Sequence, residues 1–152
     1  MDFETMTEVN DYIVMIFNEV LSIEEEALSQ SEFSNLSIKE MHTIEAIGLS
    51  GDLSSNQVAK KLGVTAGTLS VSIQNLVKKN YVERVQSPED RRVVKLKLSK
   101  SGKLIYRLHR KFHMDMVKET LEDLNSDEAA VLIKSLKNLH QFLLNKKVAG
   151  RK

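Results

Sequence analysis

The chain has 152 residues, 41% hydrophobic and 28% charged, a composition typical of one globular domain or one subunit of an oligomer. It has no cysteine, which excludes disulfides, thiol redox chemistry and cysteine-based zinc sites. The first residues lack a signal-peptide pattern, and no apolar run approaches the roughly 20 residues that cross a bilayer. We therefore expect a cytoplasmic protein.

The net charge of +1 conceals a strong segregation along the chain. Residues 1–53 contain 12 acidic side chains and one lysine, a net charge of −11. Residues 54–118 contain 15 basic and four acidic side chains, a net charge of +11. Such a basic block predicts a local surface for an anionic partner, and a solvated basic face is the simpler alternative.

Apolar residues at three- and four-residue spacing predict a first helix over about residues 7–29. The polar segment 31–36 then predicts a loop. Ser37 and Glu40 form a capping box, which starts a second helix, and Gly48 ends that helix.

The next segment is typical of a helix-turn-helix. A second capping box, Ser54 to Gln57, opens a short helix that Gly63 closes. Thr65 is the predicted N-cap of the following helix, over about residues 66–79. Only three residues separate the two helices, as in the helix-turn-helix connection.

Alternation predicts two strands, residues 81–85 and 93–98, joined by a charged turn. Ser99 then caps a long fifth helix, and Asn125 signals the start of a last one. We expect residues 146–152 to be frayed. The predicted fold class is mainly α with a small β-hairpin wing, a winged helix-turn-helix with an added helical region.

A helical wheel divides the predicted recognition helix into two faces. Leu69, Ile73 and Leu76 point inward. The opposite face is small or neutral and carries no carboxylate, which favours entry into a major groove because phosphates repel carboxylates. An ordinary exposed helix is the alternative, but such helices usually carry Glu/Lys pairs. This face comprises Gly67, Thr68, Val71, Gln74, Asn75 and Lys78.

Individual roles follow from side-chain chemistry. Gln74 or Asn75 can pair with an adenine edge, and Val71 or Thr68 can touch a thymine methyl group. Hydroxyls near the start of the helix can hold phosphates. These hydroxyls belong to Thr65, Ser70 and Ser72.

The predicted wing has Arg91 and Arg92 at its tip. Arginines at this position can reach a minor groove, where narrow A·T tracts concentrate negative potential. Asp90 is unexpected beside phosphate, so we expect it to accept a hydrogen bond from an arginine and hold the guanidinium in place.

The runs Leu62 to Leu69 and Asp90 to Gly102 resemble the MarR family of bacterial transcription regulators. The resemblance implies a homodimer that binds double-stranded DNA at an inverted repeat. It assigns residues 1–35 and 100–152 to a helical dimerisation region, in which the first and last helices of both subunits intertwine. Residues 36–99 then form the winged helix-turn-helix.

Within that family, residues 38–44 and 105–113 are most similar to repressors of fatty-acid biosynthesis genes in streptococci and their relatives. This similarity implies a long-chain acyl group on acyl carrier protein as corepressor. The basic run 107–111 suits an acidic carrier. Each candidate pocket residue is, taken singly, more often a core residue. The predicted effector-binding residues are Ile13, Phe17, Met41, Ile44, His109, Phe112, His113 and Met116.

Other chemical signals are weak. His109 and His113 are four residues apart on one helix, a spacing that can bind zinc, but a third ligand is needed and only Asp115 is nearby in sequence. We therefore predict no metal and no cofactor. No catalytic arrangement is recognisable, so we predict that the chain is not an enzyme. Two alternatives remain: a MarR-type regulator sensing another small molecule or a metal, and a winged-helix protein-interaction module that binds no DNA.

Overall fold

The computed structural model describes residues 1–149, which form six α-helices and one two-stranded antiparallel sheet. The predicted fold class is confirmed. The chain divides into two compact units, Met1–His109 and Arg110–Lys152. The elements are α1 (Phe3–Ser29), α2 (Ile38–Ile47), α3 (Ser55–Leu62), α4 (Ala66–Lys78), β1 (Val82–Gln86), β2 (Val94–Leu98), α5 (Lys100–Leu121) and α6 (Ser126–Ala149).

Helix α1 begins four residues earlier than its apolar stripe predicts. The Asp2 carboxylate accepts a hydrogen bond from the Thr5 backbone N–H at 2.7 Å and acts as the N-cap. This bond also lowers the pKa of Asp2 below its ordinary value. Because Asp2 caps the helix before its apolar residues begin, α1 is about one turn longer than the apolar spacing predicts.

Both predicted capping boxes are present. Ser37 and Ser54 each accept the N–H of the third helical residue, and that residue's side chain accepts the N–H of the serine in return. Gly63 ends α3 in the left-handed conformation, with φ at 67°. Thr65 caps α4 by accepting the Thr68 N–H at 3.2 Å. The helix-turn-helix link is therefore built by short-range hydrogen bonds.

The hairpin pairs Val82 with Leu98 at its base and Gln86 with Val94 towards its tip. Strand β1 starts one residue later than predicted, because the Tyr81 N–H donates to the Leu76 carbonyl at the end of α4. The Leu96 N–H donates to the Leu53 carbonyl at 2.8 Å. This bond ties the wing to the segment immediately before α3.

The core of the first unit lies between the recognition helix and the wing. The three inward residues predicted on α4 are all buried, as the helical wheel requires. They pack with apolar side chains from α2, α3 and β2. The fully buried side chains are Ile44, Ile47, Val58, Leu69, Ile73, Leu76, Leu96 and Leu98.

Apolar side chains on α1 and α6 remain exposed in the single chain. On α1 they include Tyr12, Phe17 and Leu21, and on α6 they include Leu136 and Phe142. Exposed apolar faces of this extent are characteristic of surfaces that another protein covers.

The last helix begins as predicted, because Asn125 accepts the N–H groups of Asp127 and Glu128. It continues to Ala149, so the predicted fraying from residue 146 is wrong up to that point. Residues 150–152 lie outside the described residues. Within the described part of the chain, no helix is both long and apolar enough to cross a membrane.

Candidate nucleic-acid interface

The outward face of α4 is open and has no negative charge. Val71 is 60% exposed, and Gln74 and Asn75 lie beside it in solvent. A Cβ added at Gly67 would meet no atom within 4 Å, so the backbone of the first turn can be approached closely. The predicted groups Gly67, Thr68, Ser70, Val71, Gln74, Asn75 and Lys78 are all exposed.

Two of the predicted phosphate-binding hydroxyls have structural partners. Thr65 donates its hydroxyl to Thr68 Oγ1 at 2.9 Å, in addition to capping the helix. Ser72 is half-buried, and its hydroxyl lies 3.2 Å from that of Thr43 on α2. Since Thr43 donates its one hydroxyl hydrogen to the Lys39 carbonyl, Ser72 must be the donor. This hydrogen bond links α4 to α2, and the phosphate-binding role of Ser72 stays a prediction.

The sequence did not predict a hydrogen-bond network at the C-terminal end of α4. Lys79 Nζ lies 2.7 Å and 3.0 Å from the two Glu40 carboxylate oxygens and 2.6 Å from the Asn35 carbonyl oxygen. The Tyr81 hydroxyl donates to Asn35 Oδ1 at 2.8 Å, and burial raises the pKa of this tyrosine. Glu40 thus has two roles: its carboxylate accepts the Ser37 N–H in the capping box of α2, and it binds Lys79 at the end of α4. The network fixes the orientation of the helix that carries the outward groups.

The wing presents two exposed arginines. As predicted, Asp90 holds one of them, since Arg92 Nε and an Arg92 terminal nitrogen donate to its two carboxylate oxygens at 3.1 and 3.2 Å. The same bonds lower the pKa of Asp90, so its carboxyl group is ionised at neutral pH. Arg92 also lines a cavity of about 320 Å³ with residues at the start of α3. Arg92 therefore lies beside the start of the helix-turn-helix.

The predicted effector residues fall in different environments. Met41 and Ile44 are core residues of the first unit, and Ile44 is fully buried. Ile13 is half-buried, whereas Phe17 is 57% exposed on α1. His109 is buried in the first unit. Phe112, His113 and Met116 belong to the second unit. The acyl pocket remains a prediction.

The region of α5 that was predicted to meet a carrier is basic and exposed at Arg107, Arg110 and Lys111. Asp115, the one nearby acid that the sequence suggested as a metal ligand, forms an ion pair with Lys111. Hydrogen bonding to Lys111 lowers the pKa of Asp115. Its carboxylate is therefore engaged along its own helix.

A helix whose exposed face has no carboxylate, a hairpin with two exposed arginines and a tight helix-helix link define a winged helix-turn-helix of the kind that binds DNA. A sequence model of the MarR family matches residues 34–93. The chain belongs to the MarR family.

Relatives extend this match over most of the chain. The crystal structure of Streptococcus pneumoniae FabT in complex with DNA is 49% identical, covers 92% of this chain and 98% of that one, and has a TM-score of 0.81. The uncharacterised HTH-type transcriptional regulator YfiV of Bacillus subtilis (strain 168) is 30% identical over 114 residues, 74% of this chain and 71% of its own length. The reduced form of MarR from E. coli is 27% identical, covers 86% of this chain and 94% of that one, and has a TM-score of 0.62. The chain is a DNA-binding transcription regulator and not an enzyme.

Proposed function

We propose that the protein is a homodimeric repressor of fatty-acid biosynthesis genes with long-chain acyl-acyl carrier protein as corepressor. The observation that carries the DNA role is the open face of α4 beside the Asp90–Arg92 pair. The identity of 49% with pneumococcal FabT supports the assignment to this branch of the family. The exposed cations Arg107, Arg110 and Lys111 on α5 suit an acidic carrier.

The proposed dimer fixes the form of the DNA site. Two recognition helices related by a two-fold axis would read half-sites about one helical turn apart, roughly 34 Å or 10 bp, within an inverted repeat. The exposed apolar faces of α1 and α6 are the surfaces that we assign to dimerisation.

The first experiment is fluorescence-anisotropy binding to palindromic fragments from upstream of fatty-acid biosynthesis genes, with and without long-chain acyl-acyl carrier protein. Tighter binding with the acylated carrier supports both parts of the proposal. Tight DNA binding that is unchanged by the acylated carrier would support the role as a DNA-binding regulator and contradict the role of the carrier as corepressor. Failure to bind several fragments at low salt would favour a protein-interaction module.

Replacing Phe17 with lysine is expected to convert a dimer into monomers. A lysine in the exposed apolar face of α1 would be buried without a partner in the dimer, which is strongly unfavourable. Light scattering after gel filtration measures the molar mass directly. The matched control is Asn18→Lys, which adds the same charge on the polar side of α1. If the Phe17→Lys variant is still a dimer, the Phe17 face of α1 is not part of the dimer interface.

Replacing Gln74 with alanine is expected to relax sequence preference at one position of each half-site. An amide that pairs with a base contributes about 1–3 kcal/mol of discrimination, and alanine keeps the helix intact. Selection from a randomised operator library measures the preference. Lys78→Ala is the control and should weaken binding to all sequences equally. A selected site identical to that of the wild type would show that Gln74 does not read a base.

A further inference from the structure

Tyr81 lies where four segments of the first unit meet, and only 5% of its surface is exposed. Its hydroxyl donates to Asn35 Oδ1 at 2.8 Å, and its ring lies against that of Phe33, with the two centroids 6.2 Å apart. Its backbone N–H donates to the Leu76 carbonyl of α4 at 2.9 Å, and its carbonyl accepts the Ser99 N–H at 3.0 Å. This one residue therefore joins the loop between α1 and α2, the end of α4, the base of the wing and the start of α5.

The ammonium group of Lys79, the C-cap residue of α4, bonds within the protein. An ammonium group has three N–H donors. Its acceptors here are the two Glu40 carboxylate oxygens, at 3.0 and 2.7 Å from Nζ, and the Asn35 carbonyl oxygen, at 2.6 Å. The Glu40 side chain is only 10% exposed, and this burial strengthens its bonds to a cation. All three donors therefore have acceptors in the protein, whereas the neighbouring Lys78 is exposed.

Polar contacts at two points fix the rotation of α4 about its own axis. The buried apolar side chains of α4 attract their neighbours without a preferred direction, whereas hydrogen bonds are directional. Ser72 and Lys79 are about two helical turns apart, so they lie on the same side of α4, where they bond to Thr43 and Glu40 of α2. These two contacts are about 10 Å apart along the helix. A rotation of α4 would therefore break both of them.

We propose that Lys79 and Tyr81 are positioning residues for DNA recognition, which act through the orientation of α4 and do not touch DNA themselves. The predicted base-reading amides of Gln74 and Asn75 can pair with a base edge only within about 0.5 Å and 10–20° of the correct geometry. A rotation of α4 moves both amides out of that range, while cations on the exposed face still reach phosphates. Loss of the bonds made by Lys79 and Tyr81 therefore reduces sequence discrimination more than general DNA affinity.

The same bonds connect the loop after α1 to the recognition helix. Asn35 lies in that loop and accepts twice, through its side chain from Tyr81 and through its carbonyl from Lys79. The loop is itself held in the core of the first unit by Phe33 and Leu36, which are both buried. A shift of this loop therefore moves two of the acceptors that hold α4.

The test compares binding to an operator, selected with the wild type from a randomised library, with binding to a duplex of unrelated sequence. Lys79→Met keeps the apolar part of the side chain and removes the ammonium group. We expect about 10-fold weaker binding to the operator, at most about 2-fold weaker binding to the unrelated duplex, and an unchanged salt slope. In the matched control, Lys78→Met, affinity for both duplexes should fall equally and the slope should become less steep. Lys79→Arg should keep the discrimination of the wild type, because a guanidinium also bonds to both carboxylate oxygens.

Tyr81→Phe is a milder variant, because it removes one oxygen atom and keeps the ring contact with Phe33. We expect about 3-fold lower discrimination in Tyr81→Phe and in Asn35→Ala, and no further loss in the double variant, since both changes remove the same hydrogen bond. Circular dichroism checks the folding of each variant. Wild-type discrimination in Lys79→Met or in Tyr81→Phe would overturn the proposal, and so would a Lys79→Met variant that behaves like Lys78→Met, since Lys79 would then contact phosphate. Because the operator is selected with the wild type, no outcome depends on fatty-acid promoters or on the acyl carrier.

Discussion

Replacing Arg91 and Arg92 together with alanine is expected to lower DNA affinity by about 100-fold at moderate salt. Both side chains are exposed at the tip of the wing. Asp90 already holds the Arg92 guanidinium, so little conformational entropy is lost when that group meets DNA. The loss should affect all sequences similarly, because charges near phosphates and in a narrow minor groove attract any duplex.

The salt dependence provides the more specific measurement. Each neutralised phosphate contributes about −0.9 to the slope of log affinity against log salt. The double variant should therefore have a slope less steep by about 2. The control removes the same charge from α6 by Lys134→Ala and Lys137→Ala, and its slope should match the wild type. An unchanged affinity and slope in the arginine variant would mean that the wing does not contact DNA.

Replacing Gly102 with alanine is expected to destabilise the protein by about 3 kcal/mol and to lower Tm by about 10 °C. A Cβ at this position would lie 2.2 Å from the Tyr81 carbonyl oxygen and 3.3 Å from Leu98 Cβ. The carbonyl cannot easily move, since it accepts the Ser99 N–H at 3.0 Å where the wing leads into α5. The close packing of α5 on the base of the wing explains why glycine is present here.

Thermal unfolding at a fixed protein concentration measures this effect. Gly67→Ala is the matched control, because a Cβ there meets no atom within 4 Å and alanine is the better helix former. Its Tm should equal or slightly exceed that of the wild type. An equal Tm for Gly102→Ala and the wild type would show that the Tyr81 backbone moves at little cost.

Interactions between residues close in sequence were predictable from the chain alone. The two capping boxes, the Gly63 helix end and the Asp90–Arg92 pair each join residues no more than a few positions apart. Their geometry is fixed by the helix or turn itself, so residue type and spacing specify it. The buried face of α4 followed equally from helical periodicity.

Tertiary structure alone decided how these elements meet. Ser72 lies near the margin of the two faces of α4, and only contact with Thr43, 29 residues away, turns it inwards. Lys79 meets Glu40 across 39 residues, and His109 meets Glu24 across 85. Such partners leave no periodic or spacing signal in a single sequence, because the packing of whole helices brings them together. The sequence by itself therefore determined the recognition helix α4 and the wing. Tertiary packing determined how α4 is held against α2 and which histidines meet the Glu24 carboxylate.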